Sequence, residues 1–372
     1  MSVQLTPVIT RRDLRRFIFL PERLHRDHAK WMPPLYMDEW RYYDPKKNRA
    51  FGYSDTLLLL AWRDGRPVGR AMGIINRRHN EMLKERTARF AGLEATDDGE
   101  VVHALLAQIE TWARERGMTK VVGPFGFNDQ DPEGFLVDGF EHEPTIVTYY
   151  NFPYLLPLLE REGYGKEVDY VVYRIPVPAE VPEVYRRVAA RLAARGHFRP
   201  LEFTAKRQLK PYIRPILGLM NETFVGIYGY SPLDAQEMEG LAKQYLPLLD
   251  PRFVKAVAAG DQVVGFVIGI PNLYEGIVKA RGRLLPFGFV HILRAMKRSK
   301  QLDLLLGGIK EEYRGRGVDT LLGATMMRSA IEGGFEIMDS HHELETNTKI
   351  RAEMERQGGV IYKRYRIYQK AL

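Results

Sequence analysis

The stretch Leu304-Leu305-Leu306-Gly307-Gly308-Ile309-Lys310-Glu311-Glu312-Tyr313-Arg314-Gly315-Arg316-Gly317-Val318-Asp319-Thr320-Leu321-Leu322 decides how this chain is read. An apolar strand runs into a short turn. Glycines then open a helix whose apolar positions continue through Leu321, Leu322, Met326 and Ile331. At a helix start several backbone N–H groups lack intrahelical partners, and the macrodipole adds partial positive charge. Glycine lets those amides approach an anion closely. Arg314 and Arg316 add formal charge. Strand, turn, basic glycine loop and helix in that order predict a pyrophosphate cradle. The Gly-Lys-Ser/Thr ending of a P-loop and the Gly-x-Gly-x-x-Gly fingerprint are both missing. Asp319, in the first helical turn, caps a helix well but repels a pyrophosphate, so the cradle works only if that carboxylate turns away.

Working outward, hairpin signals recur at long period. Thr56 to Trp62, the turn Asp64-Gly65 and Pro67 to Ile75 form one; Phe253 to Ala258, Gly260-Asp261 and Val263 to Ile270 form the other. Each follows a helical pattern and precedes a strand, a helix, a strand, a short helix and a final strand. Two copies of one mixed α/β unit, roughly 180 residues each, are the economical reading. The proline-rich stretch Pro176 to Pro182 divides them into 1–178 and 183–372.

Composition narrows the chemistry. The chain has 372 residues, 45% of them hydrophobic, enough for a core. It has no cysteine, which excludes disulfides, thiolate nucleophiles and cysteine zinc sites. No apolar run reaches the ~18 residues of a membrane span. Met1 to Arg16 lacks a signal-peptide core. A cytoplasmic protein is expected. The net charge of +8 suits an anionic partner without choosing one.

Arg314-Gly315-Arg316-Gly317-Val318-Asp319 resembles the acyl-CoA signature Arg/Gln-x-x-Gly-x-Gly/Ala of the Gcn5-related N-acyltransferases (GNAT), departing from it at Asp319. Asn347, the helix ending at Gly358-Gly359 and Val360-Ile361-Tyr362 resemble the second GNAT motif. The resemblance implies tandem GNAT-like domains and an acyl-CoA cosubstrate, with no permanently bound cofactor. It assigns acyl-CoA to Gly308, Ile309, Lys310, Arg314, Gly315, Arg316, Gly317, Val318 and Asn347. It also implies an oxyanion donor on a bulged strand near Gly307-Gly308-Ile309. The late-helix tyrosine that serves many GNAT enzymes as general acid is replaced by Met354-Glu355-Arg356-Gln357, which leaves Tyr362 as a substitute.

The first half lacks a cradle. Where glycines would stand it reads Glu94-Ala95-Thr96-Asp97-Asp98-Gly99-Glu100, whose carboxylates repel a pyrophosphate. A degenerate N-terminal domain is expected. That half carries a long glycine-rich aromatic loop from Val122 through Phe140, followed by Glu143-Pro144, which covers a substrate or joins the domains. Together with Tyr362-Lys363-Arg364-Tyr365-Arg366-Ile367-Tyr368, this loop resembles a bacterial GNAT-like family, some members of which are linked to ceramide synthesis from a sphingoid base.

Candidate bases cluster at Asp339-Ser340-His341-His342-Glu343-Leu344-Glu345. Strand alternation would put Asp339, His341, Glu343 and Glu345 on one side. Glu343 or Glu345 is the expected base, with His341 and His342 next. The cluster is not His-Glu-x-x-His, and no metal is expected. The basic, apolar insert within 279–300 predicts either a peripheral contact with the inner membrane face or a helix packed on the core. No nucleic-acid module is recognised. An amine acceptor and an acyl-CoA donor are the expected partners. An aminoacyl-tRNA-dependent transferase of related two-domain fold and a non-catalytic acyl-CoA- or ligand-binding protein are the alternatives.

Overall fold

The computed structural model describes residues 2–372. The first half contains β1 (Gln4–Pro7), α1 (Arg11–Leu24), α2 (Tyr36–Tyr42), β2 (Ser54–Arg63), β3 (Arg66–Asn76), α3 (Arg77–Leu83), β4 (Thr87–Ala95), α4 (Gly99–Glu115), β5 (Lys120–Gly123), β6 (Phe135–Asp138), α5 (Leu155–Arg161) and β7 (Gly165–Pro176). The second contains α6 (Glu183–Arg195), β8 (Arg199–Glu202), α7 (Lys206–Thr223), α8 (Ala235–Tyr245), β9 (Val254–Ala259), β10 (Gln262–Pro271), α9 (Tyr274–Ala280), α10 (Gly288–Arg298), β11 (Gln301–Ile309), α11 (Val318–Glu332), β12 (Ile337–Asp339), β13 (Glu343–Leu344), α12 (Thr348–Arg356) and β14 (Val360–Ala371).

Both expected hairpins form. Asp64 and Gly65 each take positive φ, the conformation a tight two-residue hairpin needs. In each half a helix packs on either face of the sheet. Val101 and Leu105 of α4 cover β3, with Phe17 and Ile18 of α1 behind it; Val318 and Leu322 of α11 cover β10, with Leu209, Ile216 and Met220 of α7 behind it. The close approach needs glycine, since a Cβ at Gly265 would stand 2.7 Å from Val318.

One mixed sheet runs through the whole molecule in the order β1-β2-β3-β4-β5-β14-β7-β12-β11-β10-β9-β8. The last strand of each half is exchanged. β14 inserts between β5 and β7, and β7 pairs with β12. The segment 122–140 is also more ordered than a loop. Phe135–Asp138 forms β6 against β14, and Asn151 holds the Leu136 amide at 2.7 Å.

Candidate active site

A slot opens where β11 leaves β12. The two strands are parallel and pair at only three positions, Gln301–Ile337, Leu302–Met338 and Asp303–Asp339. β11 continues to Ile309 paired only with β10, so its other edge is free from Leu304 onward. Its register slips between Ile268–Leu306 and Gly269–Leu304, which makes Leu305 a bulged residue. The irregularity was expected nearer the glycines. It falls at Leu305 because Gly307 and Gly308 keep regular register with Val267 and Phe266.

The free edge leads to the basic loop. Arg314, Gly315 and Arg316 are exposed, and Gly315 and Gly317 take φ of 71° and 90°. Gly317 starts α11 with no side chain capping it. Asp319 is half-buried and does not occupy the turn, so the first-turn amides remain open to an anion. Lys310 lies 3.7 Å from Glu222 and 3.6 Å from Glu312, and Arg314 Nε donates to the Ile309 carbonyl at 3.2 Å. Asn347 caps α12 by accepting from the Ile350 amide at 3.4 Å.

The first half repeats the divergence, and its own chain fills it. β4 and β5 pair at Thr87–Lys120, Ala88–Val121 and Arg89–Val122. Beyond that point the buried Arg89 donates to the carbonyls of Gly126 and Phe127, at 3.0 and 2.8 Å, and ties the loop into the gap. The start of α4 is capped by Asp98, and Arg63 bridges Asp98 and Glu100 at 2.8 Å each.

On the α7 side of the sheet, beside Leu305 and Leu306 of β11, lies a cavity. Its walls are α7, α8 and the strand residues Val254, Ile268, Leu305 and Leu306. His341 and His342 stand at one end.

Across 379 residues the chain is 30% identical to the bacterial ceramide synthase of Caulobacter vibrioides, covering 100% of this chain and 98% of that protein. The chain belongs to the bacterial ceramide synthase family, of GNAT fold. No protein-family model matches it. A tandem GNAT protein from the clavulanic acid biosynthesis pathway superposes with TM-score 0.56 at 13% identity, covering 100% of this chain and 98% of that one. A GCN5-related N-acetyltransferase from Sphaerobacter thermophilus gives 0.54 at 15% identity, covering 99% and 95%. These two likenesses establish the tandem fold.

In this ceramide synthase relative the candidate side chains separate into distinct environments. β12 stops at Asp339, and His341 adopts φ 59°, so the expected alternation from Asp339 to Glu345 is broken. A left-handed residue turns the chain out of the strand. His341 and His342 stack at 4.7 Å, and His342 also stacks on Tyr170 at 5.1 Å. His341 Nδ1 and His342 Nε2 have no hydrogen-bond partner among the described residues. Burial lowers the His341 pKa to about 4. Burial, then the neighbouring His341 and Lys363, hold His342 well below the usual range. Both are surrounded by protein, and the surface they show faces the cavity.

Glu343 pairs with β7, where its neighbour Leu344 packs toward Phe125 and Tyr170; alternation points Glu343 to the other face. Burial alone pushes its carboxyl up to about 8. Glu345 is tied to Lys166 at 2.5 Å. The Tyr362 hydroxyl donates to Asp339.

Sequence reasoning missed the partner of Asp339. Asp303 faces it across the last paired position of the slot, and both are fully buried. Asn272 and Gln301 donate to Asp303 at 2.9 and 2.8 Å. Burial first, then the Asp339 carboxylate, push Asp303 up to about 8. Lys363, also buried, donates to the Glu143 carbonyl at 2.6 Å. The available signal was one charged residue inside the leucine-rich strand Leu302-Asp303-Leu304, which a strand buried on both faces carries only with partners.

Proposed function

We propose that this chain is an acyl-CoA-dependent N-acyltransferase that moves an acyl group from the CoA thioester to the amine of a long-chain, sphingoid-type acceptor. The observation that carries this reading is the course of β11: Leu305 and Leu306 line the cavity with His341 and His342, and its free edge leads from there to the basic loop at the uncapped start of α11. The name of the Caulobacter relative, a ceramide synthase, supports the acceptor class.

The diphosphate lies on the amides and arginines of 314–318, and pantetheine runs along Leu304 to Ile309 in place of the missing strand. The neutral amine attacks the thioester carbonyl. A C–N bond forms, the C–S bond breaks, the amine proton passes to the base and the thiolate leaves. The bulge at Leu305 frees backbone N–H groups beside the slot, the kind of donor a tetrahedral oxyanion requires. His342, or His341 stacked on it, takes the amine proton. Tyr362 and Asp339 hold the floor of the slot in shape.

Gly317→Val tests the cradle. A Cβ at Gly317 would stand 2.6 Å from Leu192 Cδ1, and the φ of 90° is hostile to a branched residue. Acyl-CoA affinity should fall by about 10–100-fold, the equivalent of ~1–3 kcal/mol of backbone strain. Calorimetric titration with acetyl-CoA and palmitoyl-CoA measures it. Failure of every acyl-CoA to bind the native chain would refute the donor assignment.

The insert is placed to collect the lipid substrate. α10 buries Gly288, Ile292 and Ala295, whereas Leu285, Phe287, Phe289 and Leu293 are 77%, 74%, 46% and 53% exposed. The helix therefore packs on the core through Ile292, Ala295 and Met296 and leaves Phe289 and Leu293 outward. Arg281, Arg294, Lys297 and Arg298 are exposed around the apolar tip. The same insert packs against Leu305 of the cavity wall. Among the described residues no helix is long and apolar enough to cross a membrane. Surface adsorption of an apolar, cationic patch is the reading this favours. Flotation with phosphatidylglycerol vesicles should retain the chain more strongly than phosphatidylcholine alone, and Leu285→Asp with Phe287→Asp should release it. Equal recovery of both proteins with both vesicles would remove the membrane role.

A further inference from the structure

The Gly-Pro-Phe loop of the first half reaches the cavity of the second. Asp129, Gln130, Asp131 and Glu133 line one end of it, together with His341 and His342. The remaining wall is hydrocarbon apart from Tyr245, and includes Ile213 and Leu217 of α7 and Leu241 of α8. Carboxylates at the end of an apolar tube are costly unless something balances them.

Asp131 is accounted for within the loop. Its Oδ2 accepts from the Phe127 amide at 2.7 Å and from the Tyr42 hydroxyl at 3.1 Å, and a Cβ at Gly126 would stand 2.4 Å from that oxygen. Glu133 is less fully met. It is 5% exposed, the Tyr170 hydroxyl is the hydrogen-bonding side chain beside it, and its Oε2 has no partner among the described residues. Asp129 Oδ1 and the Gln130 amide nitrogen are in the same condition. The cation facing them is Arg89, whose Nη1 is committed to the carbonyls of Gly126 and Phe127 and whose Nη2 has no hydrogen-bond partner among the described residues, so one guanidinium faces the carboxylates of Asp129, Asp131 and Glu133. The other groups turned toward them are the hydroxyls of Tyr170 and Tyr228. Among the described residues no group of three or more acidic or histidine side chains is arranged to hold a metal ion. An organic cation with a long apolar tail fits both the charge and the shape.

We infer that Glu133 and Asp129 bind the ammonium head of the acceptor, and that its hydrocarbon tail fills the tube between α7, α8 and the sheet. The inference rests on the amine-acylation reading above and places recognition of the acceptor on the half that has lost its own cradle. Tyr170 links the carboxylates to the imidazoles at that end, since its ring stacks on His342 and its hydroxyl lies beside Glu133. Before attack the bound ammonium returns one proton to the Asp129 and Glu133 carboxylates, and the imidazoles receive the second as the C–N bond forms. Burial raises Asp129 to about 7 and holds Glu133 well above the usual carboxylate range, so binding of a cation that favours their charged forms releases protons.

The full chain without acyl-CoA is titrated with dodecylamine, dodecanol and dodecanoate near neutral pH. The amine should bind at least about ten-fold more tightly than the alcohol, as a charge-assisted hydrogen bond implies. Its binding enthalpy should vary with the ionisation enthalpy of the buffer, reporting proton release. Glu133→Gln should abolish the preference and leave the alcohol unchanged. Asp129→Asn, at a less buried position, tests the same point should the first variant fold poorly. Ile213→Trp should weaken amine and alcohol alike. Equal affinity for amine and alcohol, or a preference that survives both acid variants, overturns the inference. The two readings fail separately. Amine binding without acyl transfer would strike the enzymatic reading, and undiminished transfer to a long-chain amine by Glu133→Gln would strike this one.

Discussion

Replacing His342 by alanine is expected to lower acyl transfer by about 10²–10⁴-fold, the usual worth of a positioned general base, and to leave acyl-CoA affinity unchanged. His342 lines the cavity, and its Nε2 is buried without a hydrogen-bond partner among the described residues. Burial keeps the ring neutral at physiological pH and also weakens it as a base, so it receives the proton only as the C–N bond forms and the nitrogen becomes acidic. Its own titration lies below the physiological range and does not shape the rate profile there. Glu343 makes the opposite prediction. As the base it would have to lose a proton held to about pH 8, and the rate would climb until then. A single-turnover pH profile on native, His342→Ala and Glu343→Gln proteins separates the two. Full activity in His342→Ala, or a rise to pH 8 that Glu343→Gln abolishes, would move the role to Glu343.

The same groups shape stability with opposite signs. His341 has a folded pKa near 4 against an ordinary 6.5. Between those values the unfolded chain binds a proton that the folded chain refuses, so stability falls as pH drops from about 6.5 to 4. His79, also lowered to about 4, adds to this loss. Glu343 keeps its proton to about 8 against an ordinary 4.5, so its contribution falls as pH rises through that window. Thermal melts should show His341→Gln gaining on the native chain toward pH 4 and Glu343→Gln gaining toward pH 8.

Separating the molecule at its proline-rich linker should unfold both pieces. A chain of residues 1–178 would lack β14, which pairs along Lys120 to Gly123 on one side and Gly165 to Arg174 on the other. Tyr365, Ile367 and Tyr368 of that strand are buried to within 1% of completely. Their loss exposes the apolar face of β7 and leaves two open sheet edges, a recipe for aggregation. Residues 183–372 would lack β7 beside β12 in the same way. Circular dichroism melts of each piece should show no cooperative transition. Co-expression of the two should recover a soluble complex and, with it, acyl transfer. A cooperative melt of 1–178 alone would show that the exchanged strand is dispensable.

Local physics made much of this protein legible. Asp64-Gly65 and Gly260-Asp261 announce hairpins because tight turns demand residues that tolerate positive φ. The apolar strand and glycine-opened helix of 304–322 were legible because their geometry depends on a few neighbouring residues. The acids of 94–100 announce the capped start of α4 for the same reason. The insert was legible as amphipathic, but which stripe faces the core depends on what packs against it, and only the fold supplies that.

By itself, then, the sequence determined the repeated α/β unit and the glycine-opened start of α11. Those are properties of residues a few positions apart. The tertiary structure alone decided the exchange of β7 and β14, the facing of Asp303 on Asp339, and the arrival of Asp129 and Glu133 at a cavity built by the other half. Each joins residues far apart along the chain. Such pairings are selected by the total burial and hydrogen bonding of the folded sheet, and hydrophobic period and turn chemistry carry no record of them.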